Sequence, residues 1–111
     1  MPKTILIVDD SSSLRTVVKI ALARAGYDVL EAGDGKEGLG QLDKAGKVHL
    51  IVSDVNMPNM DGITFVTEVK KHPRHRFTPV IMLTTEGADG KKEQGRAAGA
   101  KAWITKPFNP P

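Results

Sequence analysis

Several apolar runs in this sequence end at residues that can do chemistry. Asp9 and Asp10 follow "ILIV", Asp54 closes "LIVSD", Thr84 follows "VIML" and Lys106 follows "AWIT". If these runs are parallel strands, their carboxyl ends meet at one edge of a sheet, which is where open α/β folds bind ligands. The spacing therefore predicts that these acids, the hydroxyl and the lysine lie together.

The chemistry of such a group follows from its charges. Converging carboxylates repel one another unless a cation lies among them, and hard oxygen ligands of this kind suit Mg²⁺. Lys106 and Thr84 opposite the metal would leave a space lined by positive charge and a hydrogen-bond donor, which suits a phosphoryl group. Asp54 is the expected nucleophile, because a carboxylate can form an aspartyl phosphate.

Other polar residues near the strand ends have simpler interpretations. Asp61 and Gly62 are typical of a turn followed by a helix N-cap, so we expect them to be structural. For Thr85 and Glu86, a polar loop and a functional role both stay open.

The elements that would position these residues alternate along the chain. Short β-branched runs and helical patterns follow one another in the order that a parallel sheet with crossover helices requires. Strands are expected at Thr4–Val8, Asp28–Ala32, Val48–Ser53, Pro79–Leu83 and Lys101–Ile104. Helices are expected over 14–25, after capping serines and before Gly26, and then over Lys36–Ala45, Asp61–Lys71 and Ala88–Ala98. Internal glycines weaken the second and the last of these patterns.

The first, third and fourth strands are apolar throughout rather than alternating, which indicates that both faces of the sheet are covered. The sequence therefore predicts an α/β fold with a doubly wound, five-stranded parallel sheet. With 111 residues the chain corresponds to one domain.

Composition narrows the function further. The absence of cysteine excludes disulfides and cysteine-based zinc sites, and favours a cytoplasmic location. Apolar runs are too short for a membrane span, so no membrane insertion is expected. The net charge of +3 could indicate a nucleic-acid partner, but the basic segment "KKHPRHR" contains Pro73 and no base-stacking aromatic residue. We expect that segment, with His72 and His75, to face solvent, and we expect no direct nucleic-acid binding.

Two enzyme classes with acids near a strand end fit poorly. A dinucleotide-binding oxidoreductase would need a glycine-rich turn after the first strand, where this chain has an acidic one. A haloacid-dehalogenase-type phosphatase would need a second acid two residues after the nucleophile, where this chain has Asn56.

The segments "ILIVDDSSSLR", "DVNMPNMDG", "VIMLTTEG" and "GAKAWITKPF" resemble, in order and spacing, the response-regulator receiver family over essentially the whole chain. This resemblance implies the flavodoxin-like strand order 2-1-3-4-5. Within the family the chain is most similar to the stand-alone chemotaxis, CheY-like type, because Asn56 and Glu86 lie two residues after the acceptor and the switch threonine and resemble the modulating residues of that subgroup.

The resemblance also implies roles for individual residues. Asp54 would be the phosphoacceptor, and Lys106 would contact the phosphoryl group. Thr84 would be the switch hydroxyl. The Mg²⁺ site would consist of Asp9, Asp10, Asp54 and the backbone carbonyl of Asn56. The implied partners are a histidine kinase as phosphodonor, for which a small acyl phosphate can substitute, and a downstream effector such as a motor or signalling component. Such a protein catalyses only its own phosphorylation and dephosphorylation. The alternative is a pseudo-receiver, an interaction module without phosphotransfer.

Two departures from the family pattern lead to further expectations. Trp103 stands where the family more often has Tyr or Phe, so both a switching ring and a simple core tryptophan stay open. The sequence stops at "KPFNPP", where the family has a fifth helix. We therefore expect a C-terminal helix to be missing from this chain, which would leave an apolar face of the sheet open or covered by a dimer partner. Resemblance, together with the tight bend needed after the fifth strand, also predicts a cis bond between Lys106 and Pro107. Because Gly87, Gly90 and Gly95 weaken helix formation, we expect the fourth helix and the loop from Thr84 to form a mobile output surface.

Overall fold

A five-stranded parallel sheet with helices on both faces positions the acidic residues. The computed structural model describes residues 3–55, 59–84, 99 and 102–105, and for 84 and 102–105 it describes the backbone alone. The elements, in chain order, are β1 (Thr4–Val8), α1 (Ser12–Arg24), β2 (Asp28–Ala32), α2 (Gly35–Lys44), β3 (Leu50–Asp54), α3 (Gly62–Lys71), β4 (Val80–Thr84) and β5 (Ala102–Thr105). The helix predicted over Ala88–Ala98 lies outside the described residues.

The strand order is β2-β1-β3-β4-β5, and every neighbouring pair is parallel. The predicted doubly wound sheet is therefore confirmed. The first two strands have the predicted bounds. β3 begins two residues later than predicted, β4 and β5 begin one residue later, and all three end one residue later. Backbone pairing continues to Asp54 opposite Leu83, and to Thr84 opposite Thr105. Asp54 and Thr84 are thus the last residues of their strands, where pairing with a neighbour fixes their backbones.

Both faces of the sheet carry a core, as the apolar runs predicted. In β1, Leu6 and Val8 belong to the larger cluster, which includes Leu42 of α2 and Phe65 of α3. Their sequence neighbours Ile5 and Ile7 point the other way and pack with Val18 of α1. This alternation is the two-residue period of a strand covered on both sides.

The face covered by α1 is the less buried of the two. Val17 and Ile20 of that helix are 53% and 49% exposed, and Leu50 and Val52 of β3 are only partly buried. That a further helix or a second copy of the chain covers this face stays a prediction. Among the described helices, none is long and apolar enough to cross a membrane.

Side-chain caps set the starts of the helices. The Ser11 hydroxyl accepts a hydrogen bond from the Leu14 N–H at 3.2 Å and starts α1, after which the chain leaves the helix through Gly26 at φ +95°. The Asp61 carboxylate accepts from the Thr64 N–H at 2.8 Å and starts α3. The interpretation of Asp61 as an N-cap is therefore confirmed.

The prediction that His72 and His75 face solvent is wrong for His75, whereas His72 is partly buried. His75 is 1% exposed, and its Nε2 donates to the Leu42 carbonyl oxygen at 3.0 Å. His72 Nε2 lies 3.0 Å from Asp43 Oδ1, and Arg74 Nη2 donates to the Asp43 carbonyl at 2.8 Å. The physical reason lies in the end of α2, whose last carbonyl groups have no partner within the helix and recruit donors from the turn after α3. Burial lowers the pKa of His75, so that residue is held neutral.

Candidate metal and phosphoryl site

Asp9, Asp10 and Asp54 meet at the carboxyl edge of the sheet. Asp9 directly follows β1 and Asp54 ends β3, and the two strands are neighbours with Val8 opposite Ser53. One carboxylate oxygen from each of the three acids lies within 4.8 Å of the others. The fold therefore assembles, from two distant parts of the sequence, the acidic cluster that the strand ends predicted.

The three acids differ in their access to water. Asp9 is 2% and Asp54 7% exposed, whereas Asp10 is exposed. Ionised carboxylates are rarely buried next to one another without a compensating cation, because each loses hydration and repels the other. A hard divalent cation fits this arrangement, since it would be held by oxygen ligands on the buried side and could keep waters on the side of Asp10.

Backbone N–H groups orient the two buried carboxylates. Asp9 Oδ1 accepts from the Ser11 N–H at 2.8 Å, and Asp54 Oδ1 accepts from the Val55 N–H at 2.8 Å. The Ser53 hydroxyl donates to the Asp54 carbonyl oxygen at 2.9 Å. These hydrogen bonds restrict the rotation of both carboxylates, which contributes to the preorganisation that a metal or phosphoryl site requires.

Arg15 is a residue near the site that the sequence did not reveal. Its Nη1 donates to the Asp9 carbonyl oxygen at 3.0 Å, and its Nε lies 3.6 Å from Glu31 Oε1. Glu31 also pairs with Lys19 at 3.3 Å. Arg15 lies in the first helix, whose apolar spacing gave no sign that one of its polar residues turns back toward the strand end.

The segment after Asp54 folds back on the strand that carries it. The Gly62 N–H donates to the Val55 carbonyl oxygen at 2.8 Å. A side chain at Gly62 would collide with the Asp54 carbonyl oxygen, and its Cβ would lie 2.8 Å from Met82 Cε. The "DG" pair that the sequence marked as a turn therefore also sets how closely α3 approaches the acceptor strand.

The same segment contacts the start of α2. Asn59 Nδ2 donates to Asp34 Oδ2 at 2.7 Å. Asp34 is the N-cap of α2, because its Oδ1 accepts from the Glu37 N–H at 2.9 Å. Neither residue was predicted to matter, since a lone Asp before a weak helical pattern carries no distinctive signal.

The remaining predicted residues are described in part or not at all. Thr84 ends β4 and its backbone pairs with Thr105, while Trp103 in β5 pairs with Met82; only the backbones of Thr84 and Trp103 are described. The predicted residues outside the described ranges are Asn56, Thr85, Glu86 and Lys106, together with the bond from Lys106 to Pro107.

Comparison with known proteins places the chain in a family. Residues 5–111 match the response regulator receiver domain. Chemotaxis protein CheY1 of Helicobacter pylori is 41% identical over 107 residues, which cover 96% of this chain and 86% of that protein. The alkaline phosphatase synthesis transcriptional regulatory protein PhoP of Bacillus subtilis is 39% identical over 110 residues, which cover 99% of this chain and 45% of PhoP.

The fold agrees with the sequence match. The crystal structure of Vibrio cholerae chemotaxis protein CheY4 superposes with a TM-score of 0.94 at 47% identity, and the match covers 99% of this chain and 91% of that one. Family match, identity and fold lead to the same conclusion, and the chain belongs to the response-regulator receiver family, in which it is CheY-like.

Proposed function

We propose that this receiver domain accepts a phosphoryl group on Asp54 in a Mg²⁺-dependent reaction and thereby switches its affinity for a downstream partner. The observation that carries the proposal is the cluster of Asp9, Asp10 and Asp54, with carboxylate oxygens within 4.8 Å of one another and two of the acids buried. Family membership supports the two-component setting, in which a histidine kinase is the phosphodonor.

Asp9, Asp10 and Asp54, with the backbone carbonyl of Asn56, would hold the cation. When bound, Mg²⁺ offsets the negative charge that builds up on the phosphoryl oxygens. The protein residues then have to hold the nucleophile still. The Val55 N–H binds Oδ1 of Asp54 and so restricts rotation of the carboxylate that would attack phosphorus.

The transfer itself is a single substitution at phosphorus. An Asp54 oxygen forms a bond to the phosphorus while the bond to the donor breaks, either phosphorus–nitrogen in a phosphohistidine or phosphorus–oxygen in an acyl phosphate. The electron pair of the broken bond leaves with the donor. Lys106 would neutralise charge on the phosphoryl group and the Thr84 hydroxyl would bind one of its oxygens. Attack by water on the phosphorus later releases inorganic phosphate and restores the carboxylate.

The phosphorylated form would differ from the free form in the contacts of Thr84 and Lys106, and Trp103 in the neighbouring strand is the candidate reporter of that change. Asn56 and Glu86 would tune the lifetime of the phosphate. Chemotaxis is the signalling pathway that we propose, because two similar proteins, CheY1 and CheY4, are named as chemotaxis proteins. The downstream partner would then be a motor or signalling protein in the cytoplasm.

Incorporation of phosphate from acetyl phosphate tests this function. In the presence of Mg²⁺ the wild-type protein should gain one alkali-labile phosphoryl group, measured by intact mass, and addition of EDTA should prevent it. Asp54→Asn should abolish the gain. Asp61→Asn is the matched control, because it removes one negative charge from the same segment while Asn still caps α3.

Two results would contradict the proposal. Undiminished phosphate incorporation by folded Asp54→Asn would show that another residue is the acceptor. A folded wild-type protein that gains no phosphate from acetyl phosphate or from a phosphorylated kinase, in saturating Mg²⁺, would favour the pseudo-receiver alternative.

A further inference from the structure

Asn59 adopts an unusual backbone conformation beside the acceptor strand. Its φ is +66°, and among the described residues it is the only one other than glycine with positive φ. Asn tolerates this left-handed region better than most residues, although the conformation still has a cost that its surroundings must offset. The contact that accompanies it is the 2.7 Å hydrogen bond from Asn59 Nδ2 to Asp34 Oδ2.

Asp34 uses each carboxylate oxygen for a different purpose. Oδ1 accepts from the Glu37 N–H and starts α2, and Oδ2 accepts from Asn59. These bonds, first from Glu37 and then from Asn59, hold the pKa of Asp34 below its usual value. The residue therefore stays ionised, and its bond to Asn59 is charge-assisted.

A close apolar contact lies next to this polar one. A Cβ at Gly35 would be 2.8 Å from Met60 Cγ and 2.9 Å from Met60 Sδ. The residues that follow Asp34 and Asn59 thus approach each other so closely that a side chain at position 35 would require Met60 to move. The start of α2 and the segment before α3 are attached at two adjacent points.

From this attachment the chain leads directly back to Asp54. Three residues after Asn59, the Gly62 N–H donates to the Val55 carbonyl oxygen, and Gly62 packs on the Asp54 carbonyl. A displacement of Asn59 would be passed through this short segment to the backbone of the acceptor residue. We propose that Asp34 and Asn59 are a positioning pair through which the start of α2 holds Asp54 in place for metal binding and phosphoryl transfer.

This inference rests on the proposed function, because metal binding and phosphorylation are its readouts. Asn59→Gly removes the side-chain amide and keeps the left-handed conformation accessible. Calorimetric titration with Mg²⁺ should show affinity about threefold to tenfold weaker than wild type, which is smaller than the loss typical for direct partners of metal ligands. The initial rate of phosphorylation by acetyl phosphate at subsaturating Mg²⁺ should fall with it.

The exchanged pair Asp34→Asn with Asn59→Asp is the rescue variant. It conserves net charge, and the asparagine introduced at position 34 can still cap α2. The amide of that asparagine can donate to the carboxylate introduced at position 59, where an aspartate also tolerates positive φ. The Mg²⁺ affinity of this variant should stay within about twofold of wild type, since the contact between the two side chains is kept.

Urea unfolding in EDTA, run on every variant, separates loss of stability from loss of positioning. A merely structural contact would lower the unfolding free energy without changing the metal affinity of the folded protein. A positioning contact changes the Mg²⁺ affinity measured by calorimetry in a sample that is fully folded.

The outcomes are distinct. If wild type binds Mg²⁺ and Asn59→Gly binds it equally well, the positioning role is wrong while the proposed function stands. If the exchanged pair is as impaired as Asn59→Gly, the contact between the two side chains is not what matters, and the inference is again wrong. If wild type itself neither binds Mg²⁺ nor takes up phosphate, the proposed function and the inference fail together.

Discussion

Gly62 is the residue whose replacement tests most directly how the fold shapes the site. It is the first residue of α3 and is buried against the end of β3. An added Cβ would collide with the Asp54 carbonyl oxygen, and would lie 2.9 Å from the Asp54 carbonyl carbon and 2.8 Å from Met82 Cε. The Met82 methyl group can move, but the Asp54 backbone is paired with β4 and cannot move without breaking that pairing.

The magnitude follows from those distances. Carbon atoms in contact normally lie about 3.5–4.0 Å apart, so α3 or the end of β3 must shift by more than half an ångström. Inserting a methyl group into a packed site costs about 1–3 kcal/mol, and backbone neighbours place Gly62→Ala at the upper end, about 3 kcal/mol. A shift of about 1 Å in a reacting group can lower a rate by about 100-fold. The rate of Asp54 phosphorylation in Gly62→Ala should therefore fall by more than the loss of stability alone predicts.

The assay compares urea unfolding and phosphorylation by acetyl phosphate in Gly62→Ala and in a matched variant, Gly40→Ala. Gly40 lies inside α2, and an added Cβ there meets no atom within 4 Å. Alanine at this position should raise the unfolding free energy by about 0.5–1 kcal/mol and leave phosphorylation unchanged. Gly62→Ala with an unfolding free energy within about 0.5 kcal/mol of wild type would refute the reasoning.

Two further predictions concern the buried histidine and the exposed acid. Burial lowers the pKa of His75, so this histidine binds a proton more readily in the unfolded chain than in the folded one. The unfolding free energy should therefore be highest above the unfolded pKa of about 6.5 and should fall as the pH drops below it. The slope should be at most about 1.4 kcal/mol per pH unit. Urea unfolding of the wild type between pH 7.5 and 5.5 (about two units) should show this slope. The variant His75→Gln keeps a donor for the Leu42 carbonyl but does not titrate, so its slope should be smaller. Equal slopes in the two proteins would contradict the assignment. Asp10→Ala should weaken Mg²⁺ binding by at least about tenfold in calorimetric titration, because it removes a ligand that carries charge, while Asp28→Ala at the opposite end of the sheet should not; unchanged affinity in Asp10→Ala would remove Asp10 from the site.

The parts of the fold that the sequence predicted well are those governed by local pattern. The bounds of β1 and β2 and the cap of α3 by Asp61 follow from β-branched runs and from an N-cap residue before a helical period. The convergence of Asp9, Asp10 and Asp54 followed from the rule that parallel strands present their carboxyl ends at one edge. Each of these features depends on few residues or on one general rule of topology.

The features that were missed depend on contacts between distant segments. His75 was expected in solvent, because a histidine beside a proline and several basic residues has the composition of a surface loop. In the fold it donates to the Leu42 carbonyl, which has no partner within its own helix and lies far away in the sequence. The glycines that made α2 a weak helical pattern have the same kind of explanation at Gly38, where a Cβ would lie 2.8 Å from Phe65 Cε1. No single-segment pattern contains that information.

The position of β1 between β2 and β3 has a consequence for how the protein folds. Asp9 and Asp54 meet only when β1 has paired with β3, and that pairing encloses a loop containing all of α1, β2 and α2. A cation bound by both acids would hold the two ends of this loop together, so its binding free energy would stabilise the folded sheet as a whole. A chain with β3 paired out of register would not bring Asp9 and Asp54 together and could not bind the cation in this way. Metal binding at these strand ends would therefore stabilise the correctly paired sheet relative to sheets with other strand pairings.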